Sequence, residues 1–201
     1  MPRAGRHRNL SPLQRFLARA SSVIVVIAAL GAGNLVLKLT PDTDGRERPF
    51  LAGGEQGDTV DADRFKATLV QVRTAAVVKV SNATHDTQGV WVILRVRFES
   101  QEEPLAIAYA ALVDSQDRSF FATDRIRQPL VDGSRILQPG IRVEGDVAFE
   151  VPHDAVGLTA QFATAVVDRR MQAVTDISLP LGSGVWLNRE PAAIEPIEVN
   201  P

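Results

Sequence analysis

Two stretches of the sequence alternate between apolar and other positions. In residues 90–98 every second residue is apolar, and residues 141–151 repeat this pattern. A period of two places alternate side chains on opposite faces of a β-strand, so each stretch predicts a strand with one buried face. The predicted inward rows are Val90, Val92, Leu94, Val96 and Phe98 in the first strand and Val143, Gly145, Val147, Phe149 and Val151 in the second.

Shorter apolar runs elsewhere in the chain are separated by residues that favour turns. Residues 114–117 (DSQD) predict a hairpin turn, Asp132 and Gly133 predict a turn with positive φ, and residues 138–141 (QPGI) match a type II turn. Weak helical signals occur at residues 81–85 and 165–173. The runs predicted as further strands are residues 65–72, 76–80, 105–113, 119–123, 157–164 and 174–179.

The number and spacing of these runs indicate the fold class. Seven or eight strands fall within residues 65–181, and no crossover helix separates them. This arrangement predicts an all-β domain, an immunoglobulin-like antiparallel β-sandwich. The chain has no cysteine, so Trp91 and the rows of Val, Leu and Phe must form the core without a disulfide. A domain of about 100 residues can do so.

A long uncharged run precedes the predicted sandwich. Residues 20–37 contain no charged side chain, and a helix of that length covers about 27 Å, close to the ~30 Å hydrocarbon core of a bilayer. The first 38 residues contain six basic and no acidic residues, so their formal charge is +6 against −8 for the remainder. We therefore predict one transmembrane helix at residues 20–38, with the N-terminus in the cytoplasm. The alternatives are a cleaved signal peptide, for which Gly31 and Gly33 supply small residues, and a buried core helix.

The predicted anchor and sandwich divide the chain into five segments. Residues 1–19 form a basic cytoplasmic segment that precedes the membrane helix. Residues 39–64 are rich in Asp, Glu, Gly and Pro and predict an acidic linker. Residues 65–181 form the sandwich. Residues 182–201 form an extended tail, because its prolines oppose a helix, and the tail either lies over the sandwich or projects to meet a partner.

Three pieces of the predicted sandwich resemble a known family. They are WVILRVRFES at 91–100, ALVDSQDRSF at 111–120 and LQPGIRVEGDVAFEVP at 137–152. In this order they are similar to the telokin-like, immunoprotective extracellular family of bacterial envelope and secreted proteins, over about residues 65–181. Members often carry Asn where this chain has Glu99 and Ser100. The resemblance implies an immunoglobulin-like sandwich displayed outside the membrane, and it implies no catalytic residue.

The composition disfavours several kinds of chemistry. The absence of cysteine removes thiolate metal sites and cysteine nucleophiles, and a net charge of −2 disfavours nucleic-acid binding. Only His85 and His153 follow the predicted anchor, and no G-x-S-x-G motif occurs. Asp114 and Asp117 flank a predicted turn, which favours a structural role over a glycosidase pair. We predict no enzyme, metal site or cofactor, and an envelope hydrolase is a remote alternative.

Three residues are candidates for binding. Trp186 follows the predicted strands and lies between a Gly-Ser-Gly hinge and a proline-rich tail. It either anchors a protein partner or packs back on the sandwich. Arg95 and Arg97 share the outward face of the strand at 90–98, where Arg95 is expected to be exposed and to contribute little to stability.

These two arginines have two interpretations. They either bind an anionic envelope component or pair across strands with Glu144, Asp146 or Glu150. The function we expect is a single-pass, membrane-anchored extracytoplasmic module that is not catalytic. Its partners are the cytoplasmic membrane, through residues 20–38, and an envelope protein. The alternatives are a module that binds an anionic envelope ligand and, if a signal peptide is cleaved, a secreted domain.

Overall fold

A computed structural model describes residues 48–182 and 190–200, and these residues form eleven β-strands. Within these two ranges, no helix has the length and hydrophobicity to span a membrane. The predicted membrane helix at 20–38 and Trp186 lie outside the described residues. The strands are β1 Phe50–Glu55, β2 Thr59–Ala62, β3 Phe65–Val80, β4 Ala83–Ser100, β5 Tyr109–Val113, β6 Ser119–Phe121, β7 Arg142–Val151, β8 Thr159–Ala163, β9 Ala173–Ser178, β10 Ala192–Ala193 and β11 Glu198–Asn200.

The strands are arranged in two sheets. One sheet has five strands in the order β1-β9-β8-β5-β6, and the other has the order β10-β3-β4-β7-β11, with β2 also paired to β3. Neighbouring strands are antiparallel except that β1 is parallel to β9 and β10 is parallel to β3. The protein is thus an all-β sandwich, as predicted, but it is not purely antiparallel. Both parallel strands reach their partners through long connections, as parallel pairing requires.

The predicted inward rows of β4 and β7 form the core between the sheets. All five apolar residues of the β4 row are fully buried, and the apolar residues of the β7 row lie in the same cluster. Phe98 of β4 packs edge to face on Phe162 of β8, with 5.1 Å between the ring centroids. Such a contact adds to the free energy gained by burying both rings, and it joins the two sheets.

The opposite face of β4 is also buried, which the alternation alone does not predict. Trp91 and Ile93 are fully buried there, in a second apolar cluster with Ala148 of β7. Ile194 packs against this cluster. Because β10 lies at the β3 edge and β11 at the β7 edge, the residues between them cross the outer face of the six-stranded sheet. The predicted tail therefore packs on the domain through residues 190–200.

Residues 50–62, which the sequence assigns to an acidic linker, form β1 and β2. The sandwich consequently begins near residue 50, and the predicted boundary at residue 65 is too late. Strand β1 pairs along the whole of β9. Alternate residues of β2, Val60 and Ala62, are buried. Their acidic and glycine-rich composition does not indicate strands, because β1 has no buried residue and β2 has only two.

The predicted turns are confirmed. Asp117 has a φ of 60°, and its N–H donates to the carbonyl of Asp114 at 3.0 Å, which closes the β5–β6 hairpin. Gly140 has a φ of 76°, and the N–H of Ile141 donates to the carbonyl of Gln138 at 3.1 Å. Gly133 also has a positive φ, of 78°. Glycine adopts this region without the steric cost that a β-carbon imposes.

Neither weak helical signal corresponds to a helix. Residues 81–82 are a tight turn that joins β3 to β4 as one long hairpin, and Ser81 has a φ of 51°. Residues 164–172 form an irregular loop between β8 and β9. In both places a local pattern was outweighed by pairing between the flanking strands, which fixes the backbone on either side.

Candidate interaction surfaces

Arg95 lies beneath the C-terminal residues, and only 5% of its surface is exposed. Its Nε donates to Glu144 Oε1 at 2.8 Å, and its two terminal nitrogens lie 3.7 Å from Asp146 and 3.0 Å from Glu198. It also donates to the carbonyl of Pro196 at 3.3 Å. The expectation that Arg95 is exposed is therefore wrong, since the tail covers it.

The same carboxylates bind other groups from the sheet and the tail. Arg73 pairs with Asp146 and donates to the carbonyl of Ala193 at 3.1 Å. The N–H of Glu195 donates to Asp146 Oδ2 at 2.8 Å. These contacts tie the crossing residues to β3, β4 and β7. We call the group the tail network, and it comprises Arg73, Arg95, Arg97, Glu144, Asp146, Glu195 and Glu198.

Burial and pairing act in opposite directions on the titration of the tail network. Burial raises the pKa of Glu144, but hydrogen bonds from Arg95 and Arg97 outweigh it and hold the pKa below its usual value. Burial lowers the pKa of Arg95, whereas its hydrogen bond to Glu144 and the charges of Asp146 and Glu198 raise it overall. Both groups are therefore charged at neutral pH, and their attraction holds the tail on the sheet.

The cross-strand interpretation of the two arginines is confirmed for Glu144 and Asp146. Arg97 lies 2.8 Å from Glu144, while 41% of the Arg97 side chain is exposed. Glu150 pairs instead with Arg125, at 3.0 Å. Arg97 also borders a polar hollow of about 350 Å³, whose other lining residues are Thr59, Lys66, Thr68, Glu99 and Arg142.

An open apolar cavity of about 360 Å³ lies at the β6 edge of the five-stranded sheet, between β5, β6 and residues 122–132. Tyr109 of β5 and Phe121 of β6 meet edge to face there, with 5.9 Å between ring centroids. Tyr109 is buried, whereas Phe121 is 62% exposed. We call this site the aromatic cavity, and its apolar lining includes Tyr109, Phe121, Ile126, Val131 and Val166.

Polar contacts fix the walls of the aromatic cavity. The Arg169 guanidinium lies 3.8 Å from the centre of the Tyr109 ring, a cation–π contact that holds the ring in place. The Gln128 side chain is buried, accepts the N–H of Ala148 at 2.6 Å and donates to the carbonyl of Thr123 at 2.7 Å. A preformed apolar hollow with a few fixed polar groups is typical of a binding site.

Sequence reasoning placed the two aromatic residues in strands but did not bring them together. The sequence did contain the information needed to pair them, because the predicted hairpin turn at 114–117 makes β5 and β6 antiparallel neighbours. In the observed register Ala111 lies opposite Phe121, so Phe121 shares the outer face with Tyr109, two residues away along β5. The cavity itself depends mainly on residues 122–132, whose position no local pattern predicts.

The histidines and the candidate aspartates have structural positions. The carbonyl of His85 accepts the indole N–H of Trp91 at 3.1 Å, and His153 is exposed in the turn after β7. Asp114 accepts the N–H groups of Gln116 and Arg118, each at 2.9 Å, as the turn interpretation predicts. Among residues 48–182 and 190–200, no three His, Asp or Glu side chains are grouped so that they could hold a metal ion.

Comparison with known proteins gives two distant structural likenesses. No family model and no curated protein matches the chain. An uncharacterized beta-sandwich protein from Clostridium difficile 630 is 10% identical, with a TM-score of 0.42 over 66% of this chain and 95% of that one. The yjhA protein from Bacillus subtilis is 16% identical, with a TM-score of 0.43 over 62% of this chain and 98% of that one. The class of this protein, an all-β sandwich, rests on the strand pairing described above.

Proposed function

We propose that this protein is a membrane-anchored, extracytoplasmic binding module without catalytic activity. The uncharged run at 20–37 and the charge asymmetry around it support an uncleaved anchor with the N-terminus in the cytoplasm. The resemblance of residues 65–181 to the telokin-like, immunoprotective extracellular family supports an immunoglobulin-like domain outside the membrane. Trp186 stays a candidate partner anchor on the grounds of sequence alone.

The aromatic cavity is the observation that carries the binding function. It places a mostly exposed phenylalanine beside a buried tyrosine, at a sheet edge that residues 190–200 leave open. Aromatic side chains at the centre of a contact supply much of the free energy of protein association. Phe121 also lies on β6, a strand of three residues at the edge of its sheet. We infer that an envelope protein inserts an apolar side chain here, next to the sheet edge.

A pair of matched variants tests this function in the full-length protein in its own membranes. A photo-crosslinking residue at position 121 should give one specific product, and the same residue at position 136 should not. Ile136 is a suitable control because it is exposed to a similar degree, 54% against 62%. Products of equal yield at both positions, or none at position 121, would contradict the assignment of the aromatic cavity.

The orientation of the chain is tested separately. Protease added outside intact spheroplasts should degrade the chain after about residue 40, because the positive segment stays inside. Protection of the C-terminus would reverse the orientation, and release of a soluble domain without protease would favour a cleaved signal peptide. Loss of any hydrolase activity on changing His85 or His153 to Ala would favour the remote enzymatic alternative.

The polar hollow supports a second candidate function, the binding of an anionic envelope component. Lys66, Arg97 and Arg142 surround it, with Glu99 as the one acid in its lining. Arg95 does not contribute, since it is buried beneath the C-terminal residues. Inorganic polyphosphate is a suitable probe, and its binding should weaken with salt and fall in Lys66→Gln. Binding that Lys66→Gln leaves unchanged would exclude this hollow.

A further inference from the structure

One end of the five-stranded sheet exposes an unusual amount of apolar side chain. Val166, Val167 and Met171, in the loop between β8 and β9, are 57%, 92% and 64% exposed. Clustered exposure of this kind on a folded domain marks a surface that contacts something else. The aromatic cavity uses only Val166 from this loop, so Val167 and Met171 need a separate explanation.

The start of β1 adds to the same surface. Phe50 lies opposite Ala173 at the end of the loop, and its N–H donates to the carbonyl of Gln172 at 2.9 Å. Phe50 and Leu51 are 61% and 58% exposed. The five exposed apolar residues therefore belong to two segments that meet where β1 pairs with β9. We call this surface the apolar end, formed by Phe50, Leu51, Val166, Val167 and Met171.

Basic residues accompany the apolar end. Pro49, Val167, Arg169 and Arg170 line one shallow concavity together with Asp168. Arg170 pairs with Asp168 at 3.0 Å, and Arg48, directly before Pro49, is exposed. Three arginines against one aspartate leave this surface with a positive charge. Apolar side chains surrounded by arginines are the combination that binds the interface of an anionic lipid bilayer.

The course of the chain favours a bilayer over other occupants. Nine residues, 39–47, separate the predicted membrane helix from Arg48. The chain therefore enters the domain beside the apolar end, after a connection that reaches at most about 30 Å when fully extended. No comparable connection in the chain would hold a protein partner near these residues.

We propose that the apolar end docks on the outer surface of the membrane, with Val167 and Met171 at headgroup level and Arg48 and Arg170 against anionic lipids. This inference rests on the proposed function, because it requires the anchor and the extracytoplasmic domain. Docking fixes the orientation of the sandwich and leaves the aromatic cavity, on the side of the five-stranded sheet, open to a partner.

The absence of native cysteine makes a direct test simple. A single cysteine in the full-length protein, Val167→Cys, is labelled with an environment-sensitive fluorophore and reconstituted in vesicles of phosphatidylglycerol and phosphatidylcholine. Gln116→Cys is the matched control, since Gln116 is also exposed but lies in the hairpin beyond the far end of β5. Quenching by lipids that carry a nitroxide should be several-fold stronger at position 167 than at position 116.

Each outcome decides between distinct explanations. Weak quenching at both positions, with both variants floating with the vesicles, would overturn the docking proposal and leave the anchor intact. Failure of both variants to float would refute the anchor and the docking together. Disulfide formation between copies at position 167 would identify a second copy of the chain as the occupant and also overturn the proposal. Quenching at position 167 that Arg170→Gln or a vesicle without anionic lipid reduces would support it.

Discussion

The outer faces of the two sheets differ in how they are covered. On the six-stranded sheet, the residues between β10 and β11 cross the strands and enclose the tail network, and Ile126 and Ile194 pack with the buried Trp91 and Ile93. On the five-stranded sheet, the aromatic cavity lies open at the β6 edge, and Phe121 stays largely exposed. The covered part of the first face serves stability, whereas the aromatic cavity is available for binding. A residue's contribution to a β-sandwich thus depends on which outer face it occupies and what covers that face.

The largest expected effect is in the core that both sheets share. Leu94→Ala should lower the free energy of unfolding by about 2–5 kcal/mol, because it leaves a cavity among fully buried neighbours. Denaturant unfolding of the domain measures this value. If Leu94→Ala lowered the free energy of unfolding by less than a variant on an outer face, the row of β4 that contains Leu94 would not be the row that faces the core.

The covered face should respond nearly as strongly. Arg95→Ala is expected to cost about 3 kcal/mol, since it leaves Glu144 and Asp146 without a main partner beneath the tail. Glu195 and Glu198 are about half exposed, so water still solvates their charges when Arg95 is removed. The loss of unfolding free energy should therefore lie at the lower end of the range for buried ion pairs. Denaturant unfolding measures this loss as well. A decrease in unfolding free energy of less than about 0.5 kcal/mol would mean that the tail does not exclude water from this face.

Acid should weaken the domain partly through the covered face. The folded-state pKa of Glu144 lies below its ordinary value of 4.5. As pH falls below that ordinary value, the unfolded chain therefore takes up the proton first, and stability decreases towards the folded pKa. Asp114 and Asp168 also have lowered pKa values and add to this trend. Unfolding measured from pH 6 down to pH 3 should show a shallower decline in Glu144→Gln, and an identical decline would contradict the role of Glu144.

The smallest expected effect on stability is at the aromatic cavity. Phe121→Ala should change the free energy of unfolding by no more than about 0.5 kcal/mol, because most of the ring is already in solvent. The same variant should nevertheless lose the partner crosslinked at this position. A large loss of stability would show that Phe121 belongs to the fold, and the contrast between the two faces would then fail.

Much of the sandwich was predictable from local pattern. Period-two alternation located β4 and β7, and the Asp-rich and Pro-Gly turns located the hairpin and the turn before β7. The sequence did not predict the edge strands β1 and β2, because an acidic and glycine-rich composition is equally typical of a linker. Arg95 was misassigned for a related reason. An arginine on the outward face of a strand is exposed unless another segment covers it, and the strand itself does not encode that segment.

The sequence by itself determined that residues 90–98 and 142–151 form strands, which of their rows faces the core and where the predicted turns lie. These properties depend on neighbours within a few residues, where side-chain alternation and backbone preference act. Only the tertiary structure decided that β4 is buried on both faces and that the aromatic cavity stays open. Arg95 and Pro196 are 101 residues apart in sequence yet form a hydrogen bond. Contacts over such distances arise because the whole chain minimises its exposed apolar surface and pairs its buried charges, and no local pattern carries that information.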